Sequence, residues 1–129
     1  MHELIQSHEF VEFLVGRDGE FDQIVSSAGR RLKAEWGDSI CALTLVLPYM
    51  RAEYSDNMKS FEAYYDSIEV CEESAIAHPK GAIQIRNRRM VDRSDMVVCY
   101  IDHEYGGAYQ TIQYAKKQKK KIINIAENK

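Results

Sequence analysis

The 129-residue sequence predicts an α/β domain on a mainly parallel sheet of about four to five strands covered by helices. Two runs, Ser39–Leu47 (SICALTLVL) and Met96–Ile101 (MVVCYI), are apolar almost without interruption, which is how strands buried on both faces read. Around them apolar residues recur at helical spacing. The two patterns alternate along the chain, with no internal repeat, low-complexity tract or flexible linker between them, so one domain over 1–129 is expected.

Phe10–Val15 (FVEFLV) reads as a short strand closed by Gly16. Phe21, Ile24, Val25, Ala28, Leu32 and Trp36 then recur at helical spacing, giving a helix from Asp18 or Gly19 to Trp36. Asp18 is its expected N-cap and Gly37 its stop. The Ser39–Leu47 strand ends at Pro48. The acidic, tyrosine-rich stretch that follows predicts a short helix over Met58–Tyr65 and a short strand over Ile68–Val70. Gly81–Ser94 reads as a helix with Ile85, Met90 and Val91 on its core stripe and arginines between them, some of them paired with Asp92 or Asp95. After Met96–Ile101, Gly107–Lys117 forms a helix with Ile112, Tyr114 and Ala115 inward, and Lys121–Ile125 supplies the last strand.

Composition narrows the function classes. The chain is 45% hydrophobic and 29% charged, an ordinary globular balance, and its net charge of −3 gives no general attraction to nucleic acid. The lysines at 116, 117, 119, 120 and 121 fall at a helix end, where positive charge complements the dipole, and no aromatic platform interleaves them. No apolar run approaches the roughly 20 residues of a membrane span, and MHELIQSHEF lacks the basic and apolar regions of a secretory signal, so a cytoplasmic location without membrane partners is expected. Cys41, Cys71 and Cys99 stand singly, and His2, His8, His78 and His103 show no ligand spacing; neither a disulfide framework nor a metal site is expected. No cofactor is expected either.

Ligands of parallel sheets sit beyond the carboxyl ends of the strands. Two expected strand ends run through glycine turns into helices: Gly16-Arg17-Asp18-Gly19, and Asp102-His103-Glu104-Tyr105-Gly106-Gly107. Glycine allows a phosphate to approach the backbone, and a helix amino end offers unpaired N–H groups. Each loop also reads simply as a turn. Neither is a GxGxxG fingerprint or a GKS/GKT P-loop, which excludes the usual dinucleotide enzymes and P-loop ATPases. Within Arg86–Asp95 the functional expectation is an arginine reaching an anion with its planar fork. Tyr105 and Tyr109 flank the second loop as candidates for stacking on a base.

The segment RNRRMVDRSDMVVCYIDHEYGGAYQTIQYAKKQKKKIINI (Arg86–Ile125) resembles the carboxyl half of SLOG-superfamily domains, the Rossmann-like relatives of DprA/Smf and the LOG phosphoribohydrolases. It is most similar to the bacterial YpsA-like branch, with its R-N-x-x-M-V/I-D-x-S-D, strand, D, Gly-Gly or Ser-Gly turn, T and YA-K-K-x-K-x-I. FLVGRDGEFD, YMRAEY and FEAYYDSIEV resemble that branch as well. The resemblance implies a Rossmann-like three-layer sandwich and a small nucleotide-type ligand, held by Gly16 at the first turn and by Arg86, Asn87, Gly106, Gly107 and Thr111, with Asp95 the acid before the strand; the two glycine turns add Arg17, Asp18, Gly19 and Asp102 to the expected ligand-binding residues.

Two departures from that family shape the functional expectation. LOG enzymes carry P-G-G-x-G-T-x-x-E, whereas Gln113 and Tyr114 stand where the catalytic glutamate would fall, and neither supplies a carboxylate. A nucleotide-binding or sensing domain is therefore the first expectation. An N-glycosidic-bond enzyme, with Arg86 orienting phosphate and Asp102 or Glu104 as carboxylate, is the second, and a protein- or DNA-interaction module the third. The family also opens with a strand and a Gly-His-Arg-like turn, whereas residues 1–8 here resemble the remnant of the first helix. Loss of that strand would expose neighbouring edges, so either Met1 is not the start of the domain or a homo-oligomer fills the gap.

Overall fold

A computed structural model describes residues 10–17, 20–37 and 41–128. The expectations for residues 1–8, for Asp18 as N-cap, for Gly19 and for the strand start at Ser39 concern positions outside these residues. The chain is mixed α/β with parallel strands throughout, and it divides into two units, Met1–Val70 and Cys71–Lys129.

The first unit contains β1 (Val11–Val15), α1 (Glu20–Trp36), β2 (Cys41–Leu47), α2 (Ala52–Ser55), α3 (Met58–Tyr64) and β3 (Ser67–Val70). Its strands lie in the order β1-β2-β3, with Phe13 opposite Leu43 and Leu45 opposite Ile68. Parallel neighbours require crossovers, which α1 and the α2–α3 segment provide. The central strand β2 is buried at every residue except Ala42, as its continuous apolar run predicts. Leu43, Leu45 and Leu47 point to one face and join Val15, Tyr54, Phe61 and Tyr65 in a core; Thr44 and Val46, of the opposite parity, are also buried. The Thr44 hydroxyl, at 0% exposure, is satisfied by donating to Glu12 Oε2 at 2.8 Å.

Helix α1 buries Leu32 of the expected stripe together with Ser26 and Gly29, while Ile24 of that stripe is exposed. Ile24 lies about 140° around the helix from Gly29, on the solvent side, and is 61% exposed. Gly29 lies against Leu43 and Phe13, which sets which face packs on the sheet. The helix stops where expected: Gly37 adopts φ 96°, and its N–H donates to the Lys33 carbonyl at 2.8 Å. Ser26 is 2% exposed, and its hydroxyl has no partner among the described residues. Ser26→Ala is therefore expected to stabilise the unit by about 1 kcal/mol, since it removes an unmet polar group and improves helix propensity. A urea midpoint that falls in this variant would refute the expectation.

Asp66 closes the unit by bonding to two other elements. Its N–H donates to the Leu43 carbonyl at 2.9 Å, and its Oδ2 accepts from the Leu43 N–H at 2.6 Å, one residue before the β2–β3 register begins at Thr44 and Ser67. Its Oδ1 takes the Lys33 ammonium from α1. Burial acts to raise the Asp66 pKa, but the Lys33 and Leu43 bonds outweigh it and hold the carboxyl below its ordinary value.

The second unit contains α4 (Glu72–Ala75), α5 (Pro79–Arg93), β4 (Met96–Cys99), α6 (Gly107–Lys117), β5 (Lys121–Asn124) and a 3-10 turn (Ile125–Asn128). Strands β4 and β5 pair in parallel, from Met96 opposite Lys121 to Cys99 opposite Asn124, with α6 as the crossover. Helix α5 begins two residues before the expected Gly81, because His78 accepts from Lys80 N–H as N-cap and Pro79 occupies the first helical position. Strand β4 stops at Cys99 rather than Ile101. There the Asn124 side chain takes over the pairing, accepting from Ile101 N–H at 3.0 Å and donating to its carbonyl at 2.8 Å.

The inward faces of the two longer helices also differ from expectation. On α5 the buried residues are Ala82, Arg86 and Val91, with Ile85 and Met90 only half-buried. On α6 Ile112 and Ala115 are buried as expected, but Tyr114 is half-buried. Its hydroxyl donates to Asp92 Oδ1 at 2.6 Å, which raises its pKa, and Arg88 stacks over its ring. Tyr114 is a clasp between the helices, because its polar end finds a carboxylate at the surface. Helix α6 ends with Lys119 at φ 59°, Lys119 N–H on the Lys116 carbonyl and Lys120 N–H on that of Ala115, the paired bonds of a Schellman end. Cys41 and Cys99 are buried and Cys71 is half-buried. Among the described residues no helix is long and apolar enough to cross a membrane, and no group of three side chains is placed to hold a metal.

Candidate functional site

The loop after β4 and the start of α6 bring several expected site residues together. Arg86 Nε donates to Asn87 Oδ1 at 2.9 Å, Asn87 Nδ2 to Thr111 Oγ1 at 3.2 Å, and Thr111 Oγ1 to the Gly107 carbonyl at 3.0 Å. Gln84 Nε2 donates to the same carbonyl at 3.1 Å. The chain of donors runs one way, from a guanidinium to a backbone oxygen, so each bond polarises the next. Helical spacing explains the set: Gln84 and Asn87, three apart, share a face of α5, and Gly107 and Thr111, four apart, share one of α6.

Two donors fix the Gly107 C=O, and the peptide is planar and trans. The Ala108 N–H therefore points the opposite way, out of the open end of α6. That end has no side-chain cap, so its first N–H groups lack the partner a Ser or Asp would provide. Gly106 enters the helix at φ 91°, ψ 175°, a backbone region essentially restricted to glycine. A Cβ on Gly107 would come within 2.8 Å of Gln84 Nε2, so the two approach closely because residue 107 has no side chain.

Other expected residues here lie at the surface. Asp102 Oδ1 meets His103 Nδ1 at 3.1 Å, and the His103 ring lies 4.4 Å from that of Tyr105. Tyr105 is 73% exposed, Glu104 is exposed, and Tyr109 is half-buried. Arg86 is only 2% exposed; its side chain is enclosed within the fold, not extended over the surface as the arginine pattern suggested. The exposed arginines of α5 are Arg88 and Arg93, whereas Arg89 is half-buried and its Nη1 pairs with Asp92 at 2.8 Å.

The turn after β1 belongs to the first unit. Gly16 is buried, and Arg17 extends from it to a set of residues that sequence reasoning missed. Nη1 donates to the Tyr65 hydroxyl at 3.0 Å, Nη2 pairs with Glu53 Oε1 at 2.7 Å, and the guanidinium lies 4.6 Å from the Phe61 ring centroid. Burial acts to lower the Arg17 pKa, but the bonds to Tyr65 and Glu53 more than offset it, so the group stays firmly cationic. Gln84 could have been found from its spacing to Asn87; Glu53, 36 positions from Arg17, carries no such signal. No family model, curated protein or solved structure matches this chain.

Proposed function

We propose that the chain is a nucleotide- or nucleotide-derivative-binding domain of the Rossmann-like, SLOG type, acting as a sensor. The observation that carries this reading is the donor chain ending on the Gly107 carbonyl, which aims the Ala108 N–H out of an uncapped helix end. Preset N–H groups and the helix dipole favour a phosphate at this end of α6. The exposed Tyr105 ring beside it, backed by His103, is a flat surface on which a base can stack. Arg86 acts behind the ligand, by positioning Asn87. Its burial also favours binding over cleavage of an N-glycosidic bond, since it does not face solvent to orient a phosphate.

Calorimetric titration with adenosine 5′-monophosphate, ADP-ribose and adenosine tests the proposal. The phosphate-bearing compounds are expected to bind and adenosine to bind far more weakly. Tyr105→Ala is expected to lose roughly tenfold in affinity, the value of one stacked base. No free base is expected to accumulate during the titrations. Equal binding of adenosine and its monophosphate would remove the phosphate site, and release of adenine would replace sensing with turnover.

A further inference from the structure

We propose that Glu53 is a built-in carboxylate stand-in at Arg17, and that a phosphate-bearing ligand binds the turn after β1 by displacing it. The inference rests on reading that turn as ligand-facing and adds how its access is regulated.

The guanidinium is held unequally on its two sides. One arm is anchored in the core: Tyr65 is 4% exposed and Phe61 8% exposed, so the hydroxyl at 3.0 Å and the ring face beneath Arg17 are fixed. The other arm ends on Glu53, whose side chain is 52% exposed and which meets Nη2 through one oxygen at 2.7 Å. Helix α2, which carries Glu53, is a single turn of four residues. An exposed pair of this kind holds weakly, whereas the anchored arm keeps the fork oriented after the carboxylate leaves. Phosphate offers the same arm more oxygens and more charge, and forms stronger charge-assisted bonds with arginine. Arg17 follows the buried Gly16 at the carboxyl end of a parallel strand, the side of a sheet where ligands bind. Glu53 thus favours ligands able to outcompete a carboxylate.

The test follows the Gly16 and Arg17 amide NMR signals while the wild-type chain, Glu53→Gln and Arg17→Met are titrated with inorganic phosphate and with adenosine 5′-monophosphate. Glu53→Gln is expected to bind inorganic phosphate roughly threefold to fivefold tighter than wild type, the value of a surface ion pair. Arg17→Met is expected to lose the response. If Arg17→Met does not fold, Arg17→Lys, which keeps the charge without the fork, is expected to bind more weakly than wild type. With Glu53→Gln binding tighter than wild type, a larger response to the monophosphate identifies a nucleotide as the displacing ligand and equal responses identify free phosphate, and both then support displacement. Glu53→Gln titrating like wild type, while the Arg17 variant loses binding, overturns the stand-in and leaves the turn as an anion site. Silence of the Gly16 signal in every protein overturns both, and the α6 end is then judged separately on the Gly107 signal.

Discussion

Asp66→Ala is expected to lower the stability of the first unit by about 2–3 kcal/mol at neutral pH, the scale of a charged hydrogen bond lost together with a buried donor left unmet. Leu43 is 1% exposed, and its N–H lies one residue before the β2–β3 ladder begins, so no strand residue replaces the carboxylate that accepts from it. The same substitution removes the Asp66 partner of the Lys33 ammonium on α1, loosening the helix from the start of β3. Asp66→Asn keeps an acceptor for Leu43 but loses the charge, and is expected to cost about half as much. The folded-state pKa of Asp66 is depressed below its unfolded value, so its contribution is fully present above about pH 4 and is lost as the pH falls through the folded pKa. The stability gap between wild type and Asp66→Ala should therefore be widest at neutral pH and narrow on acidification. Urea unfolding across that range, with amide exchange read at Leu43, checks both parts. A gap that stays constant with pH would mean that the carboxylate charge contributes nothing.

The residues at this junction show what could and could not be read from the chain. The strand over Cys41–Leu47 was legible because burial on both faces leaves a nearly uninterrupted apolar run, a property of consecutive residues, and that over Val11–Val15 because its apolar residues run up to Gly16. The end of α1 was legible because Gly37 supplies its own signal. The contacts of Asp66 and Glu53 and the burial of Arg86 were not, because a charged residue reads as solvated by default and the partners of the two carboxylates lie elsewhere in the chain. Asp66 meets Leu43 from 23 positions away and Lys33 from 33. Arg86 is buried and donates to the adjacent Asn87, but what makes Asn87 useful is Thr111, 24 positions on. Ile24 was misplaced for a local reason: Ser26 and Gly29, small enough to pack on the sheet, carry no hydrophobic signal, and they set the buried face. At the candidate site the glycine turn and the Arg86, Asn87 and Thr111 set were legible through a family resemblance, whereas their connection through the Gly107 carbonyl required coordinates.

That connection makes Gly106 the position where a one-carbon change should have the largest effect on ligand response. At φ 91°, ψ 175° a Cβ is strained whatever space surrounds it, and Gly106→Ala is expected to cost about 1–3 kcal/mol of stability in the second unit. The nearest atom to that Cβ, His103 Nε2, is 3.9 Å away, so the cost comes from the backbone and not from a clash. Relief of the strain requires residue 106 to rotate toward an ordinary region, which turns the peptide leading into Gly107 and shifts the first turn of α6. Gln84 and Thr111 hold the Gly107 carbonyl from α5 and from within α6, so the helix start either keeps those bonds and stores the strain or gives them up and loses the Ala108 N–H direction. Both routes predict at least a tenfold weaker response to a phosphate-bearing nucleotide, since one directed charge-assisted bond is worth about that much. Gly107→Ala separates the two routes. It has no positive-φ strain, and its Cβ only displaces the end of Gln84, so it should cost about 1 kcal/mol while Thr111 still holds the carbonyl. Nucleotide affinity that falls steeply in Gly106→Ala and mildly in Gly107→Ala would tie binding to the backbone direction set at residue 106. Equal affinities in wild type and Gly106→Ala would show that the amino end of α6 does not contact the ligand.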